Sequence, residues 1–192
     1  MPTAYLVFHA QVNPVTAQHF MAACANLIQS NDELYLCLST PGGQVASGIT
    51  MYNFLRGLPS KITTHNIGNI DSIGNAIFLS GEIRKASPHS TFMFHGVGFE
   101  LNAQTKLEEK NLRELMDSMS ADNKRMADII ADRTSLSLDE ARKLFAEART
   151  KDANDALNAG VVHEISDLVI PPGAPITTLV LVLERAAGII RP

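Results

Sequence analysis

Tryptophan is absent from the 192 residues, cysteine occurs twice, and the remaining aromatics are three tyrosines and eight phenylalanines. Cys24 and Cys37 have neither disulfide nor metal-site spacing, and both sit in apolar patterns. They therefore read as small buried hydrophobes in a reducing compartment. Long apolar runs are missing too: residues 179–183, like every other run, are far too short to cross a bilayer, and the amino end carries no basic leader. A cytoplasmic location with no membrane partner is the resulting expectation. Positive charge is scarce, since 16 Lys and Arg face 20 Asp and Glu for a net charge of −4. Nucleic acid as the main partner would call for a basic surface instead. His9, His19, His65, His89 and His163 lack metal-ligand spacing such as H-E-x-x-H, so no metal or other cofactor is expected.

What is present is ordinary globular chemistry. With 45% hydrophobic and 19% charged residues, the chain can bury a substantial core as one enzyme-sized domain. Apolar patterning alternates strand and helix from the start, with strands at 5–9, 34–39, 62–67 and 91–95 and helices at 16–29, 44–55 and 72–79. This order predicts an α/β fold with a mostly parallel sheet and reactive groups at the carboxyl ends of strands. A long polar helix follows at about 103–133, striped by Leu107, Leu112, Leu115, Met116, Met119, Met126, Ile129 and Ile130. Ser137 with Glu140 forms a capping box for a helix ending near Ala148. A last helix at 153–159 stops at Gly160, and residues 161–165 read as a strand. Pro171, Pro172 and Pro175 then stiffen a linker before a final apolar strand at 176–183. Such an edge needs cover from its own sheet or from a neighbouring subunit.

The segment 68–76, Gly-Asn-Ile-Asp-Ser-Ile-Gly-Asn-Ala, sets Ser72 where a strand turns sharply into a helix. A hydroxyl there becomes a nucleophile only if a base takes its proton, and imidazole is the usual base near neutral pH. His95 ends the strand-like run 90–94. The oxyanion of a tetrahedral intermediate needs idle N–H donors, each worth roughly 2.7–4 kcal/mol. Gly43, after the Pro41-Gly42 turn, and Ile73, at the helix start, can supply them. Taken alone, Ser72 could be a helix N-cap and His95 a hydrogen-bonded histidine at a strand end.

These residues fall in the order of a known family. The run 38–43 (Leu-Ser-Thr-Pro-Gly-Gly) resembles the N-S-P-G-G turn of the Clp protease proteolytic subunit, Ser72-Ile73-Gly74 its S-M-G nucleophile site, and 92–95 its V-M-I-H strand. Residues 134–140 resemble its T-G-Q-S-L-E-Q helix start and 155–162 its E-A-V-E-Y-G-L-V ending, so the likeness spans about 4–166. It implies a ClpP/crotonase-like fold of repeated β-β-α units, with a mostly parallel sheet and a long protruding handle helix. Residues 1–168 would be the protease domain and 169–192 a Pro-rich linker and tail.

By that resemblance the chain would be a serine endopeptidase with Ser72 as nucleophile, His95 as base, and the N–H groups of Gly43 and Ile73 as oxyanion hole. It would act on peptides or unfolded proteins as a homo-oligomer, a heptameric ring or double ring. Little chain precedes the first strand, where the family has a loop that engages an ATPase, so docking of a Clp-type ATPase stays open. Ungapped counting puts the family's triad aspartate on Ala148. Asp152, in the turn before the last helix, is the substitute acid considered first, with Glu147 the other neighbour and Asp71 disfavoured by its charge beside a forming oxyanion. Two alternatives stay open: a catalytically impaired structural or regulatory subunit, and a crotonase-type acyl-coenzyme A enzyme.

Overall fold

The computed structural model describes residues 2–98 and 108–180. Strands β1 (Thr3–His9), β2 (Glu33–Thr40) and β3 (Lys61–Asp71) form the centre of a sheet. They alternate with helices α1 (Pro14–Leu27), α2 (Val45–Arg56) and α3 (Gly74–Leu79). Then come β4 (Ile83–Ala86), β5 (Thr91–Met93), α4 (Glu109–Arg133), α5 (Leu138–Glu147), β6 (Thr150–Asp152), α6 (Ala153–Asn158), β7 (Glu164–Ile165) and β8 (Ile176–Val180). The sheet order is β6-β5-β3-β2-β1-β8, with β4 on β3 and β7 on β4. Every pairing is parallel except β5 with β6. Strand β3 is long enough to take two partners in succession, β4 at 63–66 and β5 at 69–71.

Local chemistry sets the element ends. Asn13 accepts from the N–H groups of Val15 and Thr16, and Pro14 opens α1 where a missing N–H costs nothing. Ser137 and Glu140 cap α5 as the sequence predicts. One face of the sheet carries Ala4, Leu6, Phe8, Leu34, Leu36, Leu38 and Ile62, which bury against Phe20, Met51, Leu55 and Phe78. The alternation of strand side chains demands this split.

Four sequence expectations change in detail. Strand β4 and strand β6 were not predicted, because Arg84 and Lys85 occupy the first and the second is only Thr-Lys-Asp. Pairing partners rather than hydrophobicity make them strands. The expected strand at 161–165 shrinks to β7, since the N–H groups of Val161 and Val162 donate back to the Ala156 carbonyl of α6 rather than to a neighbouring strand. The long helix begins at Glu109, and the expected 103–107 lie outside the described residues. The final strand pairs with β1 in its own sheet and becomes the terminal strand, with no partner on its outer side among the described residues; its expected 181–183 also lie outside the described residues.

Arg84 is 4% exposed, and no carboxylate pairs with it among the described residues. Its guanidinium donates to the carbonyls of Val161 (2.7 Å), Gly160 (3.0 Å), Arg133 (2.8 Å) and Gly81 (3.3 Å). Arg133 in turn donates to Leu79 and Gly81 at 3.0 Å. Two cations thus gather the carbonyl ends of α3, α4 and α6, where helices carry partial negative charge. Burial, and then the neighbouring Arg133, pull Arg84 down to about 10, so it stays charged at neutral pH.

On the opposite sheet face His65 is fully buried between two hydroxyls, Tyr35 at 2.8 Å from Nδ1 and Ser87 at 3.2 Å from Nε2. Burial holds its pKa below the ordinary value, with Lys85 pushing the same way. A depressed folded-state pKa contributes stability that is complete above the unfolded value of about 6.5 and is lost as pH falls through the folded value. His163 has the same sign, from burial and then Arg84 and Arg133. Stability should therefore fall on acidification below pH about 6.5, by at most about 1.4 kcal/mol per pH unit for each proton. His65→Gln should have a shallower slope in urea titrations; a slope equal to that of the parent protein would refute this role.

Candidate active site

The ends of β3 and β5 meet where the chemistry-bearing residues lie. Asp71 pairs with Met93, and the next N–H, that of Ser72, donates to the Met93 carbonyl at 2.9 Å. Ser72 and His95 therefore leave the same ends of two adjacent, hydrogen-bonded strands. Ser72 was expected to open the helix. Instead it stands outside α3 with φ of +55°, a left-handed conformation that costs a non-glycine residue about 1–3 kcal/mol. Such strain at a strand-to-helix turn lifts a hydroxyl clear of its own helix, as in a nucleophile elbow. No hydrogen bond holds its Oγ among the described residues, and the side chain is half-buried.

The glycine turn closes on this elbow. Gly42 has φ of +81°, and a Cβ there would lie 2.7 Å from both the Ser72 Cβ and the Asp71 carbonyl oxygen. Gly43 has φ of +143° and presses against Val12, whose carbonyl oxygen would be 2.1 Å from an added Cβ. The Val12 and Gly43 backbones form a bridge in which Val12 N–H donates to Gly42 and Gln44 N–H donates to Val12. The N–H groups of Gly43 and Ile73 are used by neither bridge nor helix: among the described residues they donate to nothing. A groove of about 580 Å³ runs past Gly43, bounded by Gln11, Gln44, Val97, Ser118 and Asp122.

This assembly of strand ends, elbow and glycine turn agrees with a family model. The model for Clp protease matches residues 3–168. The chain belongs to the Clp protease family. Two solved structures show the same fold as this family member. One is a mutant of ClpP1 from Listeria monocytogenes, 18% identical, with a TM-score of 0.75 over 85% of this chain and 91% of that one. The other is ClpP1 from the same organism, 20% identical, with a TM-score of 0.72 over 86% and 92%. The α/β architecture with its mostly parallel sheet is thereby that of a Clp protease subunit.

The acid position reads differently. Asp152 lies in the turn before α6, opposite Thr91 in the β5–β6 ladder, but its exposed carboxylate accepts from the Asp155 N–H at 2.9 Å as the cap of that helix. It was expected to reach inward, and no hydrogen bond joins it to His95 among the described residues. Glu147 accepts from Lys151 at 3.1 Å, and Asp71 accepts from the Asn69 amide at 2.6 Å. Ala148 ends α5 in a left-handed conformation, φ +46°. The one ring hydrogen bond of His95 among the described residues joins Nδ1 to the Gly96 carbonyl, 2.8 Å.

Sequence reasoning missed Asn75. It is fully buried in the first turn of α3, and its amide donates to the carbonyls of Ser72 (3.0 Å) and Met93 (2.9 Å). It locks the elbow to the end of β5. A polar residue inside the apolar stretch 73–79 was the available signal, because a buried amide must find partners.

Proposed function

We propose that this Clp protease family member is a serine endopeptidase that hydrolyses peptide bonds through an acyl-enzyme on Ser72. His95 takes the hydroxyl proton as the Ser72 oxygen attacks the scissile carbonyl carbon. The N–H groups of Gly43 and Ile73 receive the oxyanion, and the protonated imidazole then gives its proton to the leaving amine. The observation that carries this reading is the strained Ser72 elbow packed on a glycine turn, with two unspent backbone donors beside it. The groove past Gly43 would hold the peptide. Its chemistry needs no cofactor.

The subunit would act within a ring-shaped homo-oligomer. Support comes from α4, whose carboxyl half is buried through Met126, Ala127 and Ile130 while Leu112 and Met116 are 45% and 67% exposed. A fluorophosphonate should label Ser72, and Ser72→Ala should abolish both labelling and peptide cleavage. A folded protein that takes no label would overturn the proposal. The second reading, an impaired subunit with a structural or regulatory role, is favoured by one observation, the methyl group of Ala148 at the acid's position.

A further inference from the structure

We infer that Asn123 of α4 is a positioning residue for His95, acting through the 96–97 backbone in the task that a triad carboxylate would otherwise perform. The inference rests on the proposed role of His95 as base. A carbonyl oxygen has no proton to give, so the 2.8 Å contact between Nδ1 and the Gly96 carbonyl requires Nδ1 to be the donor. In the neutral ring, Nε2 then carries the lone pair. This is the tautomer that a base approaching Ser72 from that side needs, and the part usually played by an aspartate is to select it.

A carbonyl can orient a ring only if the carbonyl is itself held. His95 lies two residues beyond the end of β5, so the strand ladder does not fix it. Among the described residues one hydrogen bond ties 96–98 to another element: the Val97 N–H donates to Asn123 Oδ1 at 2.9 Å, across 26 residues of chain. The same Oδ1 would stand 3.6 Å from a Cβ on Gly96, with Phe145 of α5 at 4.0 Å, so the amide lies directly against the turn. Asn123 is also well anchored. It sits one turn before Met126 and Ala127 and two before Ile130, the buried residues that seat α4 on the domain.

A carbonyl dipole orients an imidazole but brings no full charge to stabilise the imidazolium. The arrangement thus fixes geometry without replacing the electrostatics of an acid.

The test uses the full chain with Asn123→Ala, which removes the acceptor, and Asn123→Asp, which keeps an oxygen at the same place. In 15N-labelled parent protein, the His95 ring should show a protonated Nδ1 and an unprotonated Nε2. Asn123→Ala should lose that pattern and slow fluorophosphonate labelling of Ser72 by about 10- to 100-fold, the scale of a misplaced reacting group. KM for a peptide should change little beside kcat, and Asn123→Asp should restore both signals. An unprotonated Nδ1 in the parent, or Asn123→Ala with parental spectrum and labelling rate, would overturn the inference. If the parent takes no label, the proposed function falls while the ring spectrum still decides: loss of the Nδ1–H pattern in Asn123→Ala supports positioning, and an unchanged pattern refutes it. Should Asn123→Ala fail to fold, Asn123→Ser, which keeps an oxygen but shortens the side chain, is expected to give an intermediate loss; parental behaviour there would likewise refute it.

Discussion

Ala148→Asp should speed both fluorophosphonate labelling and peptide cleavage by about 100-fold or more. In the antiparallel β5–β6 pair, Thr91 faces Asp152, Phe92 faces Lys151 and Met93 faces Thr150. Ala148 and His95 each stand two residues beyond the last pair, Thr150 with Met93, so the same register carried past the end of the ladder would bring them opposite each other. Directly opposed residues have Cβ atoms about 4.5–5.5 Å apart, a span that a carboxylate crosses to reach a ring nitrogen. Loss of the acid from a Ser-His-Asp triad costs about four orders of magnitude, so regaining even half of that in logarithmic terms gives the stated factor. The backbone favours the change, because aspartate tolerates the left-handed conformation seen at Ala148 better than alanine does. A small cost opposes it: a negative charge at the carboxyl end of α5 is worth about 0.3–1 kcal/mol in the wrong direction. The new carboxylate should also take Nδ1–H from the Gly96 carbonyl, so the penalty of Asn123→Ala should shrink in this background. A folded Ala148→Asp protein with unchanged rates would mean that His95 receives no help from that side, and the proposed geometry would fail there.

The largest stability effect should come from Arg84→Met, with a loss of about 3–5 kcal/mol. The buried guanidinium satisfies four carbonyls at once, at the ends of three helices, and its backbone N–H donates to His163 Nδ1 at 3.2 Å. A methionine fills similar volume but takes the guanidinium away from the Val161, Gly160 and Arg133 oxygens, while Gly81 keeps its bond from Arg133, and each orphaned buried acceptor costs about 1–3 kcal/mol. Removal also withdraws the positive charge from the negative ends of helices, so the balance lies with retention. Arg84→Lys should recover only part of the loss, because a single ammonium cannot span the fork from Val161 to Gly81. Urea unfolding midpoints measure both variants. A methionine variant within about 1 kcal/mol of the parent would show that water or local rearrangement satisfies the carbonyls. Because Arg133 joins the same cluster to the end of α3, the Ser72 elbow should loosen along with it.

Much of the fold was legible because its signals are local. The capping box at Ser137, the βα alternation through residue 79 and the glycine turn at 42–43 each depend on a few neighbours in sequence. The polar strands β4 and β6 were not legible, since no hydrophobic period marks them and only pairing with β3 and β5 defines them. Asp152 was read from its number as a neighbour of the vacant acid position, whereas its carboxylate is spent on capping α6 through the N–H three residues on, a local N-cap signal that was passed over. Ser72 was read correctly as standing at a strand-to-helix turn, but its left-handed backbone arises from Gly42 pressing on one side and the Met93 carbonyl holding its N–H on the other.

The βα alternation through α3, the single core and the candidates for the hydroxyl, the imidazole and the glycine donors were thus legible in sequence alone, because hydrophobic period and turn chemistry act over a few residues. That Asn75 holds the Met93 carbonyl and Asn123 the Val97 N–H, and so tie down the end of β5, was decided only in tertiary structure. Those are contacts across 18 to 26 residues of chain, and a hydrogen bond at that separation is specified by the packing of whole elements rather than by any local pattern.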